Sequence, residues 1–117
     1  MEQIISIPSD ELIEVSIWAE ESAGMSTKRA SALLEPSVHA EGLSTLRAPL
    51  SCVLPSGLKV GITCERVPGG EFHLGIDEDG RLSSLGKYAG PLAVRLFPAG
   101  HSSYVVNIER SGRRHGA

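Results

Sequence analysis

Aromatic side chains are scarce: one tryptophan, two tyrosines and two phenylalanines in 117 residues, 4% of the chain. A core must therefore be built mainly from Leu, Ile, Val and Ala, and stacking platforms for nucleic-acid bases are in short supply. Cysteine is almost as rare, with only Cys52 and Cys64. One pair does not make the disulfide framework of a small secreted domain, and the sequence leaves open whether the two are bonded. No Cys-x-x-Cys or His-x-x-x-His supplies zinc-ligand spacing. No run of about 18 apolar residues occurs, so no membrane-spanning helix is expected. The opening stretch MEQIISIPSDELIEV has neither a basic start nor a continuous apolar run, which points to a soluble, cytoplasmic chain.

Several motifs are missing too. Neither Gly-x-x-x-x-Gly-Lys-Ser/Thr nor Gly-x-Gly-x-x-Gly is present, so no nucleotide cradle is expected. No Gly-x-Ser-x-Gly marks a nucleophile elbow. The chain is read as non-enzymatic and without a cofactor. Basic residues are wholly absent from residues 1–24, which hold Glu2, Asp10, Glu11, Glu14, Glu20 and Glu21. The remainder carries eight acids against eleven bases, so the net charge of −3 is unevenly spread. Such asymmetry either steers a partner or marks a solvated acidic edge.

What the chain does have is period-two alternation, the mark of half-buried strands. Leu58, Val60, Ile62 and Cys64 alternate with Lys59, Gly61, Thr63 and Glu65. After Pro68-Gly69-Gly70 the pattern restarts with Phe72, Leu74 and Ile76, and Asp77-Glu78-Asp79-Gly80 supplies a second tight turn. Residues 58–85 thus form a β-meander. Ahead of it, residues 3–7 are expected as a strand. In residues 12–20 a helix would scatter the apolar side chains round its axis, whereas a strand puts Ile13, Val15, Ile17 and Ala19 on one face. Strand is preferred. Ser26 and Thr27 precede KRASALLE, rich in helix formers and closed by Pro36, so one short helix is expected there, followed by a loop at 36–43. Residues 46–54 alternate again, but Pro49 removes a ladder donor, which suits an edge or a bulge. Residues 92–96 and 104–109 complete the strands. No internal repeat at a fixed period is found.

The expectation is one domain over residues 1–109, a mainly antiparallel all-β sandwich with one short α-helix, followed by a disordered basic tail at 110–117. A small closed β-barrel is the alternative architecture.

Chemistry-bearing residues are thin. Asp77 and Asp79 open like a calcium loop, but the position of a closing Glu holds Leu or Ser, so a turn with solvated acids is the simpler reading. A remote hydrolase reading would use Ser102 or Cys64 with a histidine such as His101. Both cysteines, however, fall on the apolar side of their strands. Nucleic-acid binding would rest on Arg110, Arg113 and Arg114 with Lys28 and Arg29, against an acidic overall balance. Trp18 stands out because it lies on the polar face of its strand with Glu14 and Glu20. Phe97 similarly follows Ala93 and Arg95 on an outward face. These four are the interface candidates, unless a helix or a second layer covers the aromatics. The functional expectation is a protein-binding or adaptor domain whose partner is another protein or a second copy, with a small ligand- or calcium-binding β-domain as the alternative.

Overall fold

The computed structural model of the chain describes residues 13–22, 24–34, 44–46, 49–66, 71–88 and 91–110. Nine strands fall within them: β1 (Ile13–Ser22), β2 (Met25–Leu34), β3 (Ser44–Thr45), β4 (Leu50–Val53), β5 (Lys59–Arg66), β6 (Phe72–Glu78), β7 (Arg81–Tyr88), β8 (Leu92–Leu96) and β9 (Tyr104–Arg110). They make two antiparallel sheets. Sheet A has the order β2-β1-β9-β8, and sheet B the order β3-β5-β6-β7, with β4 also pairing β5. Nearly every neighbour is a neighbour in sequence. The exceptions are β3, which pairs β5 past β4, and β1 beside β9, which brings the two ends of the strand series together.

The expected strand alternation accounts for most of this. In β1, Ile13, Val15, Ile17 and Ala19 are all buried, and the strands on either side present Ala32 and Leu34, or Tyr104, Val106 and Ile108, to the same side. Sheet B answers with Val60, Ile62 and Cys64 from β5 and Phe72, Leu74 and Ile76 from β6. All of these belong to one apolar cluster, so the two sheets share a core in a sandwich-like arrangement. Each fully buried aliphatic side chain there stabilises the fold by roughly 1.5–3 kcal/mol relative to exposure. The meander forms as expected. Asp79 (φ 53°) and Gly80 (φ 89°) both take positive φ in its second turn, the conformation that a two-residue hairpin turn requires.

Two expectations need correction. The short helix does not form: residues 28–34 belong to β2, and no helix occurs among the described residues. Helix propensity differences of a few tenths of a kcal/mol per residue lose to an extended hairpin with β1. Pairing of Ile17 with Ala30, Val15 with Ala32 and Ile13 with Leu34 puts the apolar members of β2 on the core side. The closed barrel does not form either. Leu34 bridges Leu46 where the sheets meet at one corner, but β7 and β8 do not pair. The interruption expected at Pro49 is present, and β4 after it lies at a sheet edge. Pro49 separates β3 and the Leu46 bridge from β4, and both pieces lie along the same edge of β5. The expected strand at 3–7 and loop at 36–43 lie outside the described residues. β9 runs to Arg110, and the rest of the expected tail also lies outside them. No helix among the described residues is long and apolar enough to cross a membrane.

One glycine on the outer face of sheet B is fixed by its neighbour. Gly75 sits opposite Thr63, and a Cβ added to it would lie 2.5 Å from the Thr63 hydroxyl oxygen. Gly75→Ala should therefore lower stability by about 1 kcal/mol or more, because a β-branched threonine has few alternative rotamers. Adding Thr63→Ala should restore most of the loss in urea denaturation. If Gly75→Ala alone is as stable as wild type, the close approach carries no cost.

Candidate functional site

The outward positions of sheet A form its second face. From β1 come Glu14, Ser16, Trp18 and Glu20. The register sets Lys28 and Val105 on either side of Trp18, with Arg95 beyond Val105 on β8. The same register sets Asn107 beside Ser16 and Ala93 beside Asn107. Phe97 follows Arg95 by two positions and is 77% exposed. Glu14, Trp18 and Glu20 therefore share one face, and Phe97 lies one residue past the end of β8 at its margin.

Trp18 is held down on this face. Its indole Nε1 donates to Ser16 Oγ at 2.8 Å, and the Lys28 ammonium lies 5.4 Å from the ring centroid in a cation–π contact. Ser16 is completely buried although it points away from the core. The indole itself remains partly exposed. Its polar group is satisfied within the strand, which leaves the ring as an apolar surface in a fixed pose.

The acids of β1 are paired across the sheet. Glu14 pairs with Lys28 at 3.3 Å, Glu20 with Arg95 at 3.0 Å and Glu21 with Arg29 at 3.8 Å. Glu20 also accepts from Ser103 Oγ at 2.7 Å, and Glu21 from Thr27 Oγ1 at 2.8 Å. Each exposed pair is worth at most about 1 kcal/mol. Their effect is on the field: every described acid of β1 has a basic partner on β2 or β8. Among the described residues of this face, only Glu109, directly opposite Glu14, adds a like charge.

A second cluster lies at the end of the sandwich where the turns gather. Tyr104, buried at the start of β9, donates its hydroxyl to Glu78 Oε2 at 2.5 Å and so ties sheet A to sheet B. Burial and this bond to a carboxylate push the phenol above its usual range. His101 Nδ1 lies 2.9 Å from Ser56 Oγ across the same end. A recess of about 280 Å³ is lined there by Leu58, Glu78, Arg81, Pro98 and His101. The serine that His101 meets is thus Ser56, while Ser103 is engaged by Glu20. Cys64 is buried, and burial pushes its thiol up to about 12, with Arg66 offsetting only part of that rise. It is therefore a protonated thiol at neutral pH, not a thiolate nucleophile. Cys52 and Cys64 are both free.

The acidic turn uses its carboxylates locally. Asp77 Oδ1 accepts from the Gly80 amide at 2.6 Å, and Asp79 Oδ1 from the Lys59 amide at 3.0 Å. Among the described residues no group of three His, Cys, Asp or Glu side chains is placed to hold a metal ion.

Sequence reasoning missed one residue of the interior. Arg66 is 1% exposed, and its guanidinium carbon lies 4.9 Å from the centre of the Phe72 ring, its cross-strand partner. The signal was available: Arg66 continues the inward series Val60, Ile62, Cys64. Comparison with known proteins finds no counterpart, since no family model, curated protein or solved structure matches the chain.

Proposed function

We propose that this is a non-enzymatic protein-binding domain that docks its partner on the outer face of sheet A, centred on Trp18. The observation that carries this reading is the pose of the indole: partly exposed, with its N–H already bonded to Ser16 and one face under Lys28. An aromatic anchor fixed before binding loses little side-chain entropy on docking, and aromatic side chains are the commonest anchors of interfaces. Phe97, highly exposed near the β8 margin of this face, supports the same reading. Because Glu14, Glu20 and Glu21 are already paired, the face offers apolar contact and shape more than net charge.

Retention of proteins from a lysate by wild type and by Trp18→Ala tests this. Partners held by the wild type should be lost with Trp18→Ala, with affinity falling on the order of 30-fold for a hot-spot truncation of about 2 kcal/mol. Leu82→Ala, which alters an exposed side chain on sheet B, should leave retention unchanged. Equal retention by Trp18→Ala and wild type rules this face out. Since Trp18 is the only tryptophan, its emission also reports directly on whether the face is covered.

A further inference from the structure

Among the described residues, the unpaired edges of the two sheets are not equivalent. A free strand edge is a template for another strand, and proteins blunt edges with bulges, charges, prolines and brevity. Three of the edges here are blunted in these ways. β2 is bridged to Leu46 at one end, and along the rest its pairing with β1 shifts register twice, once at Lys28 and Arg29 and once between Ser26 and Met25. β3 and β4 are two and four residues long and flank Pro49. β7 carries Arg81 and Lys87, and its pairing with β6 shifts register at Leu85. The fourth edge, β8, is different: five residues in unbroken register with β9, with proline only outside the strand at Pro91 and Pro98.

β8 also has unfinished burial. Leu92, Val94 and Leu96 point to the core side opposite Ile108, Val106 and Tyr104, which are all completely buried. The three β8 side chains are only partly buried, with Leu92 and Leu96 packed against the core cluster. Their order is symmetric about Val94: apolar at 92, 94 and 96 on the inner side, Ala93 and Arg95 on the outer side.

We propose that β8 pairs antiparallel with β8 of a second copy, about a two-fold axis through Val94. In this register Leu92 of one copy faces Leu96 of the other on the core side, and the two Val94 residues face each other. On the outer side each Arg95 faces an Ala93, so no like charges stand directly opposite, and each Arg95 keeps its own Glu20. The neighbouring registers are worse. An axis through Arg95 sets the two guanidinium groups face to face, and an axis through Ala93 leaves Leu96 beyond the paired strands. The exposed Phe97 would fall over the second copy's Pro91, next to the small Ala93. This isologous contact rests on the edge alone and stands whether or not the Trp18 face binds a partner. If both hold, the joined sheet sets two Trp18 faces side by side, and a partner with two sites gains avidity.

Sedimentation equilibrium tests the proposal. Wild type should show twice the 12.4 kDa chain mass at micromolar concentration. Val94→Lys places an inward charge on the edge and should give only monomer with the same circular dichroism. Register is tested by oxidative cross-linking of mixed single variants. Ala93→Cys with Arg95→Cys should join within disulfide reach, whereas Ala93→Cys alone should not. The native thiols enter as the wild-type control. A wild type that stays monomeric at millimolar concentration overturns the proposal, and so does a dimer that Val94→Lys leaves intact. If Val94→Lys does not fold, failure of the mixed cysteine variants to cross-link overturns it instead.

Discussion

Phe72→Ala should lower the free energy of unfolding by about 3–5 kcal/mol, a third or more of the stability of a typical domain. Phe72 opens β6, is completely buried, and faces Arg66 across the β5–β6 ladder. Truncation removes a ring from the shared core and leaves a cavity that the sheets can close only in part. It also removes the π face beneath a buried guanidinium, a contact worth up to about 2 kcal/mol when desolvated. Phe72→Leu separates the two contributions. It keeps most of the volume, so a loss above about 1.5 kcal/mol in that variant belongs to the cation–π contact. Leu82→Ala, at a position 77% exposed, should stay within about 0.5 kcal/mol of wild type. Urea denaturation with an unchanged m-value is the measurement. A loss under about 1 kcal/mol for Phe72→Ala would place the ring outside the cooperative core.

The same residues show what was legible beforehand. Period-two alternation fixes which side chains of β1, β5, β6 and β9 face inward, because the side-chain period of a strand is set by covalent geometry. It therefore put Trp18, Glu14 and Glu20 together on one face without any tertiary information. It did not show that Ala93 and Arg95 of β8 would join them, since that depends on β9 lying between β1 and β8, a pairing of chain segments about 90 residues apart. The ion pairs of Glu14, Glu20 and Glu21 were hidden for the same reason: charge counts along the chain say nothing about register between strands. The error over β2 has a different cause. Lys, Arg, Ala and Leu are good helix formers, and they masked the alternation of Ala30, Ala32 and Leu34, where small alanines give a weak apolar signal. Pairing with β1 overrode that local preference.

Alkaline solution should unfold this domain earlier than its composition suggests, and two buried acids set the window. Cys64 is raised from an ordinary value of 9.0 to about 12 by burial, with Glu65 adding to the rise and Arg66 opposing it. Tyr104 is raised as well, by burial first and then by its bond to Glu78. Each group keeps its proton in the folded chain at a pH where the unfolded chain has released it. The unfolded state then binds fewer protons, so stability falls as pH rises. The contribution of Cys64 is complete below about pH 9 and is lost progressively towards pH 12, on the order of 4 kcal/mol across the window. Tyr104 adds to the slope above pH 10, the ordinary value for its phenol. Denaturation profiles between about pH 8 and 11 should therefore steepen in wild type and flatten in Cys64→Ala/Tyr104→Phe, whatever the lower starting stability of the variant. The single variant Tyr104→Phe should also lose about 1.5–3 kcal/mol at neutral pH, because Glu78 is left without the donor that ties β6 to β9. An alkaline slope identical in the double variant and the wild type would move the cause to other groups. A neutral-pH stability unchanged in Tyr104→Phe would show that the two sheets are held by their apolar core alone.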